Sequence, residues 1–542
     1  MGWYLGARIL GVRDDLVAAQ AAVAQVRAGG DVRSGVRTVA EHSARAANDT
    51  RDPLWRAAEQ LPNFGENLRA VRIAATALDQ LAGGLAVPAL DALDADTKEP
   101  VLKRVLPVLQ RAAPEVTALN RQLADVRAVE LMPQVREGVD QIAAVTGAID
   151  PVLQLLPGML GANGPRNYLL VAQSNAEVLA LGGSVASQSL LRAADGSIAI
   201  VQQSDSTDYI SGKPVRTDID KSAIDLYNDY LVTHLNTSVG RPDFPTAAKT
   251  IQAFWNRDID PAPVDGVISV DPLALARALR ATGPVTVDKH RITSDNAVSF
   301  LLSRAYDLYP PEKADEIFKQ VAVLVMDKLA RGSFDAAKLV DAVSQGIDTG
   351  SIMFWSADPA IQARFASTRV AGILPRSNAE STTIGVFYRD ASLGSKIDYY
   401  LKATVDARAS CKADGSVSVS VSTTVWLDLD RARASKLPSY VTGGALDGKV
   451  FRTQLFIYGP PGTKVTAESR QPKKSWNWRP ITARDLGRPT PSFMTVQDLG
   501  AKKVTVKVTF TGPRGEYGPL QVRTTPIVNP TKVTIDSGCL GR

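Results

Sequence analysis

Y-L-L-V-A-Q-S-N-A-E-V-L-A-L-G-G-S-V-A-S-Q-S-L-L-R-A-A-D-G-S-I-A-I-V-Q-Q-S-D-S-T-D-Y, residues Tyr168–Tyr209, decides how this chain folds. Tyr168–Ala172 reads as a buried strand. Ser184–Arg192 and Ser197–Gln202 flank Asp195-Gly196, a dipeptide suited to the positive φ values of a two-residue hairpin turn. Gly182-Gly183 marks either a turn or a close backbone approach by a ligand. Gln173, Ser174, Asn175 and Glu177 at one strand end, and Asp205, Ser206, Thr207 and Asp208 beyond the hairpin, are the richest cluster of polar side chains. Two such ends are suited to a sugar, a phosphate or a divalent cation, because amides and carboxylates are oxygen ligands. The structural alternative is that Asn175 and Glu177 cap the following turn.

Downstream, Val264–Val270 reads as a strand running into Asp271-Pro272, the N-cap and first-turn proline of a helix Leu273–Ala281 that Gly283-Pro284 closes. Ile292–Tyr306 and Glu312–Arg331 read as two further helices. Mixed strands and helices predict an α/β or α+β domain over 161–376.

Upstream, Ile9, Val12, Leu16, Ala19, Val23 and Val26 recur in steps of three and four, and Gly29-Gly30 ends that helix. Similar stripes run from Leu68 to Leu85, with Asn67 as the expected N-cap, from Val116 to Val126 and from Val135 to Ile149. Pro53, Pro62, Pro88, Pro100 and Pro133 punctuate them. Residues 1–160 are expected to form a helical bundle or stalk, acting as a spacer or as an oligomerisation surface.

Past residue 377 the runs are of β type: Thr382–Tyr388, Lys396–Ala407, Ser416–Leu427, Val450–Tyr458, Lys502–Phe510 and Thr531–Ile535. Their alternation and Gly/Pro turns predict an antiparallel β-sandwich over 377–542. The whole is a multidomain α+β chain.

With 542 residues, 45% hydrophobic and 22% charged, the chain is globular and too long for one ordinary core. The net charge of +6 hides an asymmetry: residues 401–542 hold 22 Lys and Arg against 10 Asp and Glu. That end suits an anionic surface, whether membrane headgroups, nucleic acid or an acidic polymer; a solvated basic face without a partner is the alternative. The two cysteines, Cys411 and Cys539, lie at the ends of the β region, where one disulfide is expected in place of two free thiols. Such a bond places the protein in an extracytoplasmic compartment. No uninterrupted run of 18 apolar residues occurs. The opening M-G-W-Y-L-G-A-R-I-L-G-V-R nonetheless puts Trp3 and Tyr4 where interfacial aromatics flank a span, so a membrane anchor ahead of residue 1 is expected; an amphipathic helix start is the alternative.

P-loop, HExxH, G-x-S-x-G and paired CxxC signatures are absent, and the three histidines, His42, His234 and His290, sit near no nucleophile elbow.

Several motifs in order, N-Y-L-L-V-A-Q-S-N-A-E-V-L-A-L-G-G-S-V-A-S, P-D-F-P-T-A-A, V-D-G-V-I-S-V-D-P-L-A-L-A-R-A-L-R-A-T-G-P-V and L-G-S-K-I-D-Y-Y, with D-P-L-W-R-A-A-E-Q-L-P in the helical part, resemble the actinobacterial domain-of-unknown-function 4012 family. The resemblance implies an outward-facing, membrane-anchored envelope protein connected with exopolysaccharide, and no defined reaction. Leu179 and Leu181 stand where the family pattern A-E-L-R-A-T-G-G has Arg and Thr, so an anion clamp there is missing.

The order of a hairpin with polar ends, V-D-G-V-I-S-V-D-P, T-G-P-V, S-R-A-Y-D and F-K-Q is similar, more distantly, to LytR-CpsA-Psr phosphotransferases. Those enzymes transfer polyprenyl-linked glycans to cell-wall hydroxyls with Mg²⁺ and arginines. That likeness implies a LytR-CpsA-Psr-like central domain in which Glu177, Asp205, Asp208 and Arg304 are catalytic. Glu177 and Asp208 would hold Mg²⁺, and Asn175, Gln173, Asp307 and Lys313 would bind substrate. In the basic region K-K-S-W-N-W-R interleaves Trp476 and Trp478 with cations, suiting a glycan; packing at a sheet edge is the alternative. Nucleic acid is not expected outside the cell.

Three functions therefore stand: a glycopolymer phosphotransferase, a noncatalytic glycan-binding or scaffold protein of the envelope, and a glycoside hydrolase with paired carboxylates.

Overall fold

The structure is a computed structural model describing residues 2–541 except positions 63, 96, 98, 393, 444–449, 472–480 and 501. The chain divides into two compact units. The first is Met1–Arg166 with Arg192–Ala199 and Leu329–Ser333; the second is Asn167–Leu191, Ile200–Lys328 and Phe334–Arg542.

The first unit is helical: Gly2–Arg27, Val32–Asp49, Pro53–Ala58, Gly65–Asp79, Val87–Asp94, Val101–Arg127 and Pro133–Met159. Its apolar stripes bury as their spacing predicts. Val12, Ala46, Trp55, Leu68 and Ala75 share one cluster, and Leu119, Leu123, Val126 and Val139 another. Asn67 is not the N-cap. The helix starts at Gly65, and Asn67 is buried within its first turn, where its Oδ1 accepts the Met132 N–H from another segment. A buried amide does more by satisfying that distant donor than by capping its own helix.

Pro88 does not end its helix. Ahead of it Gln80–Ala86 widens into a π-type turn, with the Val87 N–H bonded to the Ala82 carbonyl, which accommodates a residue that has no N–H to offer. By length and composition, Gly65–Asp94 and Pro133–Met159 are apolar enough to cross a membrane. Pro133–Met159 also carries the buried Asp150, to which Thr117 and Asn120 of the neighbouring helix donate.

The second unit is built on a mixed sheet. Its strands are β1 (Arg166–Leu179), β2 (Gly182–Ala194), β3 (Ser197–Asp205) and β4 (Gly266–Val270); β5 (Val285–Val287) and β6 (His290–Ile292) form a separate pair, and β7 (Ile352–Ser356) closes the sheet in the order β3-β2-β1-β4-β7. The hairpin turn falls at Asp195-Gly196, both at positive φ. β1 and β4 are parallel, Tyr168 facing Gly266, and the crossover between them carries the buried helix Phe244–Asp258. The helix expected over Ile292–Tyr306 is broken: Ile292 ends β6, and helical structure resumes only at Ala297, passing through a π-type turn Phe300–Arg304. Thr293 and Asn296 bond to each other's backbone N–H and fix the intervening turn.

Beyond residue 377 run β8 (Thr382–Asp390), β9 (Leu401–Cys411), β10 (Val417–Leu427), β11 (Val450–Tyr458), β12 (Lys464–Gln471), β13 (Ile481–Asp485), β14 (Arg488–Asp498), β15 (Val504–Gly512), β16 (Leu520–Thr524) and β17 (Lys532–Asp536). They form two five-stranded sheets, β12-β15-β10-β9-β17 and β13-β14-β11-β8-β16. Alternation in β9 and β10 sends Val405, Ala407, Val419 and Val421 into a cluster shared with Ile384, Leu455 and Phe493 of the other sheet. The sheets are not wholly antiparallel as expected. The last two strands return as parallel edges, β16 on β8 and β17 on β9.

That parallel pairing brings the C-terminal ends of β9 and β17 together, and the expected disulfide joins Cys411 to Cys539 with Cα atoms 6.0 Å apart. Phe387, Phe456 and Tyr458 join the cluster around β1, β4, β7 and the Phe244–Asp258 helix.

Arg241, from the G-R-P-D-F-P run, crosses this same region with its side chain 3% exposed. It donates to Asp485 at 2.7 and 3.1 Å, to Asp220 at 2.6 Å and to Asp243 at 3.2 Å. Asp485 also accepts from Tyr458 and Ser222, and Tyr227 bonds Tyr458.

Two outcomes are expected in urea unfolding followed by circular dichroism. Reducing the disulfide, which closes a separation of 128 residues, costs about 4–5 kcal/mol on the chain-entropy estimate. Arg241→Met, which strands buried Asp485, costs about 3–5 kcal/mol, and adding Asp485→Asn costs less than the sum of the two single changes.

Candidate functional site

The second half of β1 loses the alternation of a half-buried strand, and its side chains from Gln173 to Val178 are buried or nearly so. Gln173 donates to Ser269 Oγ at 2.6 Å and accepts the Gly183 N–H at 2.8 Å. The glycine pair is there for close packing. A Cβ on Gly182, at φ +140°, would lie 2.6 Å from Gln173 Oε1, and one on Gly183 would lie 1.9 Å from the Ser174 carbonyl oxygen. Asn175, fully buried, donates to Asp271 Oδ2 at 3.1 Å and to the Pro526 carbonyl at 3.0 Å. Asp271 caps the helix Pro272–Thr282 through the Ala274 N–H, and burial raises its pKa.

Two residues on, Glu177 forms an ion pair with Lys396, each side chain 23% exposed. Around that pair stand more carboxylates than cations. The Val178 N–H donates to Asp398 at 2.8 Å, and Asp390 accepts from the Ser392 N–H and Ser395 Oγ. Burial pushes Asp390 up to about 6; burial and then the neighbouring Asp390 charge hold Asp398 well above the usual carboxylate range. Burial draws the Lys396 ammonium down, but Glu177 and the Tyr306 ring, centred 5.5 Å away, outweigh it and raise its pKa. Asp315 lies within electrostatic reach of both Lys396 and Lys319, and burial raises it.

Lys319 in turn pairs with Asp205 at 3.1 Å. Burial raises Asp205 less than the hydrogen bonds from Thr207 and Lys319 lower it, so its net pKa falls. Glu177 and Asp205 thus lie at two ends of one network running through Lys396, Asp315 and Lys319. Asp208 caps a short 3-10 turn, accepting the Asp205 N–H at 2.9 Å. Asp307 pairs with Arg433 at 2.7 Å, and Lys313 with Glu316 at 2.9 Å. Arg304 is exposed at the end of its π-type turn. Trp476 and Trp478 lie outside the described residues.

Sequence reasoning passed over Lys396, Asp398, Asp390 and Asp315. The signal for two of them was present, because L-G-S-K-I-D-Y-Y carries both Lys396 and Asp398. Among the described residues no three His, Cys, Asp or Glu side chains stand close enough to hold a metal ion. Glu177 is bound to Lys396 and Asp208 to backbone, an arrangement that does not fit a Mg²⁺ ion. Burial in this network favours the neutral form of its acids: Asp390, Asp398 and Asp315 are all raised, with Glu177 adding to each.

Asp390 keeps its proton in the folded chain up to about pH 6, whereas unfolded it ionises near 3.8. Between those values the folded state binds the extra proton, so this group stabilises fully below pH 4 and its contribution is lost as pH rises through 6. Asp390→Asn is expected to shrink the fall in unfolding free energy between pH 4.5 and 7.5 by about 1–3 kcal/mol, read from urea melts at both pH values.

No functionally curated protein is similar in sequence to this chain. The transcriptional regulator yvhJ of Bacillus subtilis is a similar solved structure, at 10% identity over 40% of this chain and 84% of its own, with a TM-score of 0.22, too slight a likeness to bear on the fold. Residues 163–306, from the approach to β1 through the Phe300–Arg304 turn, match a family described as a protein of unknown function, DUF4012.

Proposed function

We propose that this is an extracytoplasmic protein of the cell envelope that binds cell-wall glycopolymer without processing it. The observation that carries this reading is the closed ion pair of Glu177 with Lys396. The carboxylate best placed for chemistry already has a cationic partner, and opening a half-buried pair costs free energy. Asp205 and Asp307 are occupied in the same way. The Cys411–Cys539 disulfide supports an oxidising compartment, and the family resemblance and the two apolar helices support membrane attachment.

The helical region serves as spacer, and the two C-terminal sheets, read as a β-sandwich, present the basic surplus of residues 401–542 to an acidic polymer. Within them K-K-S-W-N-W-R, between β12 and β13 in the chain, supplies stacking rings and cations. A second reading, a phosphotransferase acting on a polyprenyl-linked glycan, is favoured by Asp390 and Asp315, both raised by burial and both within electrostatic reach of Glu177. It requires the Glu177–Lys396 pair to open.

Sedimentation of the full chain with purified actinobacterial cell wall separates the two. The binding reading expects Trp476→Ala with Trp478→Ala to weaken retention by about tenfold and Glu177→Ala to leave it unchanged. Undiminished retention in the double variant discards the loop. Wall modification by the wild type that Glu177→Ala abolishes replaces binding with catalysis.

A further inference from the structure

Away from the Glu177 network, a half-open hollow of about 50 Å³ lies beside the end of β16. The β1–β2 turn contributes Leu181, the end of the Ala336–Thr349 helix Ile347 and Thr349, and β7 Met353; Leu374, Phe387 and Pro526 complete an apolar wall. Two cations, Arg369 and Arg523, also line it, and no Asp or Glu does.

Both guanidiniums are steered by backbone rather than by carboxylates. Arg369 donates to the Asp348 carbonyl oxygen and Arg523 to that of Ile373. Arg523 retains an Nε–H that is buried and bonded to nothing. Behind them Arg488, 1% exposed, donates to the carbonyls of Thr383, Gly459 and Pro375. Among the described residues none of the three forms an ion pair. Burial, followed by the repulsion of Arg369 on Arg523 and of Arg523 on Arg488, lowers Arg523 and Arg488 to about 10.

Asp348 lies within electrostatic reach of Arg369, but among the described residues no carboxylate offsets Arg523 or Arg488. Two buried like charges are costly unless something negative joins them, and Arg523 still has an unused donor. The wall is also preformed. Gly372 sits at φ +61°, and a Cβ there would come within 2.6 Å of Phe244 Cβ and 2.7 Å of Met353 Sδ, so the floor admits no side chain at that point.

We propose that this hollow binds an oxyanion, phosphate or carboxylate, carried on an apolar body, with Arg369 and Arg523 donating to the oxyanion and the Leu181–Met353–Phe387 wall taking the apolar part. None of the residues that line the hollow belongs to the Glu177 network. It is tested by calorimetric titration of the full chain with hexyl phosphate, hexanoate, inorganic phosphate and hexanol. Saturable one-to-one binding of hexyl phosphate or hexanoate is expected, their ratio naming the preferred oxyanion, with weaker binding of inorganic phosphate and none of hexanol. Arg523→Gln is expected to weaken binding by about tenfold or more. Arg369→Gln, in a short 3-10 turn and only half-buried, gives the same readout if the first variant does not fold. Hexanol binding as tightly as hexyl phosphate, no binding of either hexyl anion, or wild-type affinity in a folded variant would each overturn the proposal.

Discussion

The buried contact between Arg241 and Asp485 is the constraint on which the second unit depends. One guanidinium, 3% exposed, meets a fully buried carboxylate from the β13–β14 turn, while Asp220 and Asp243 take its remaining donors. Burial works against both charges, yet the pairing raises the pKa of Arg241 and lowers that of Asp485, so each is held in its ionised form by the other. A pair of this kind adds little to stability over an apolar substitute, but it is unforgiving of misplacement, because either partner alone is an uncompensated buried charge. It therefore fixes how the long connection between β3 and β4 meets the sheet that contains β11 and β14. The Tyr227–Tyr458 hydrogen bond adds to that registration through Tyr458, which also donates to Asp485.

With the connection pinned, β1 is trapped on both sides, and its polar residues become structural. Gln173 ties it to β4 and to the glycine pair, Asn175 ties it to Asp271 and to the Pro526 carbonyl, and the Val178 N–H ties it to Asp398. A strand so enclosed must satisfy most of its polar groups internally, and among its side chains only Ser174 Oγ and Asn175 Oδ1 are buried without a hydrogen-bond partner among the described residues. That requirement explains why a run rich in amides and carboxylates sits in a core at all. It also explains the crowding of acids around Lys396: Asp398 is needed for the Val178 N–H and Asp390 for the Ser392 N–H, irrespective of charge balance.

The parts of the fold legible in the sequence are those set by local chemistry. The Asp195-Gly196 turn, the Asp271-Pro272 helix start and the alternating strand β10 each depend on a few neighbouring residues, and each forms where its pattern places it. The strand expected over Lys396–Ala407, by contrast, starts only at Leu401, after a 3-10 turn Ile397–Tyr400, and runs to Cys411. What was not legible depends on partners far away in the chain. Asn67 reads as a cap until Met132 is seen beside it, and the parallel edges β16 and β17 look like any other strands until their return past the whole sheet is known. The candidate site shows the same division. Glu177 and Asp205 stand out as polar residues near strand ends, but the lysines that occupy them lie 219 and 114 positions away.

Distance in sequence also bears on how the two polar centres of this unit differ. Around Glu177 the carboxylate is already paired with Lys396 and burial favours the neutral form of the neighbouring acids, so a visiting ion would have to break an existing pair. Around Arg523 the cations outnumber the acids: Asp348 acts on Arg369, whereas Arg523 and Arg488 are bonded to carbonyl oxygens, which are partial charges and do not neutralise a cation. An anion entering there adds attraction without displacing any partner. By the same electrostatics that close the first centre to ligands, the second is, among the described residues, the better placed to gain from an incoming anion.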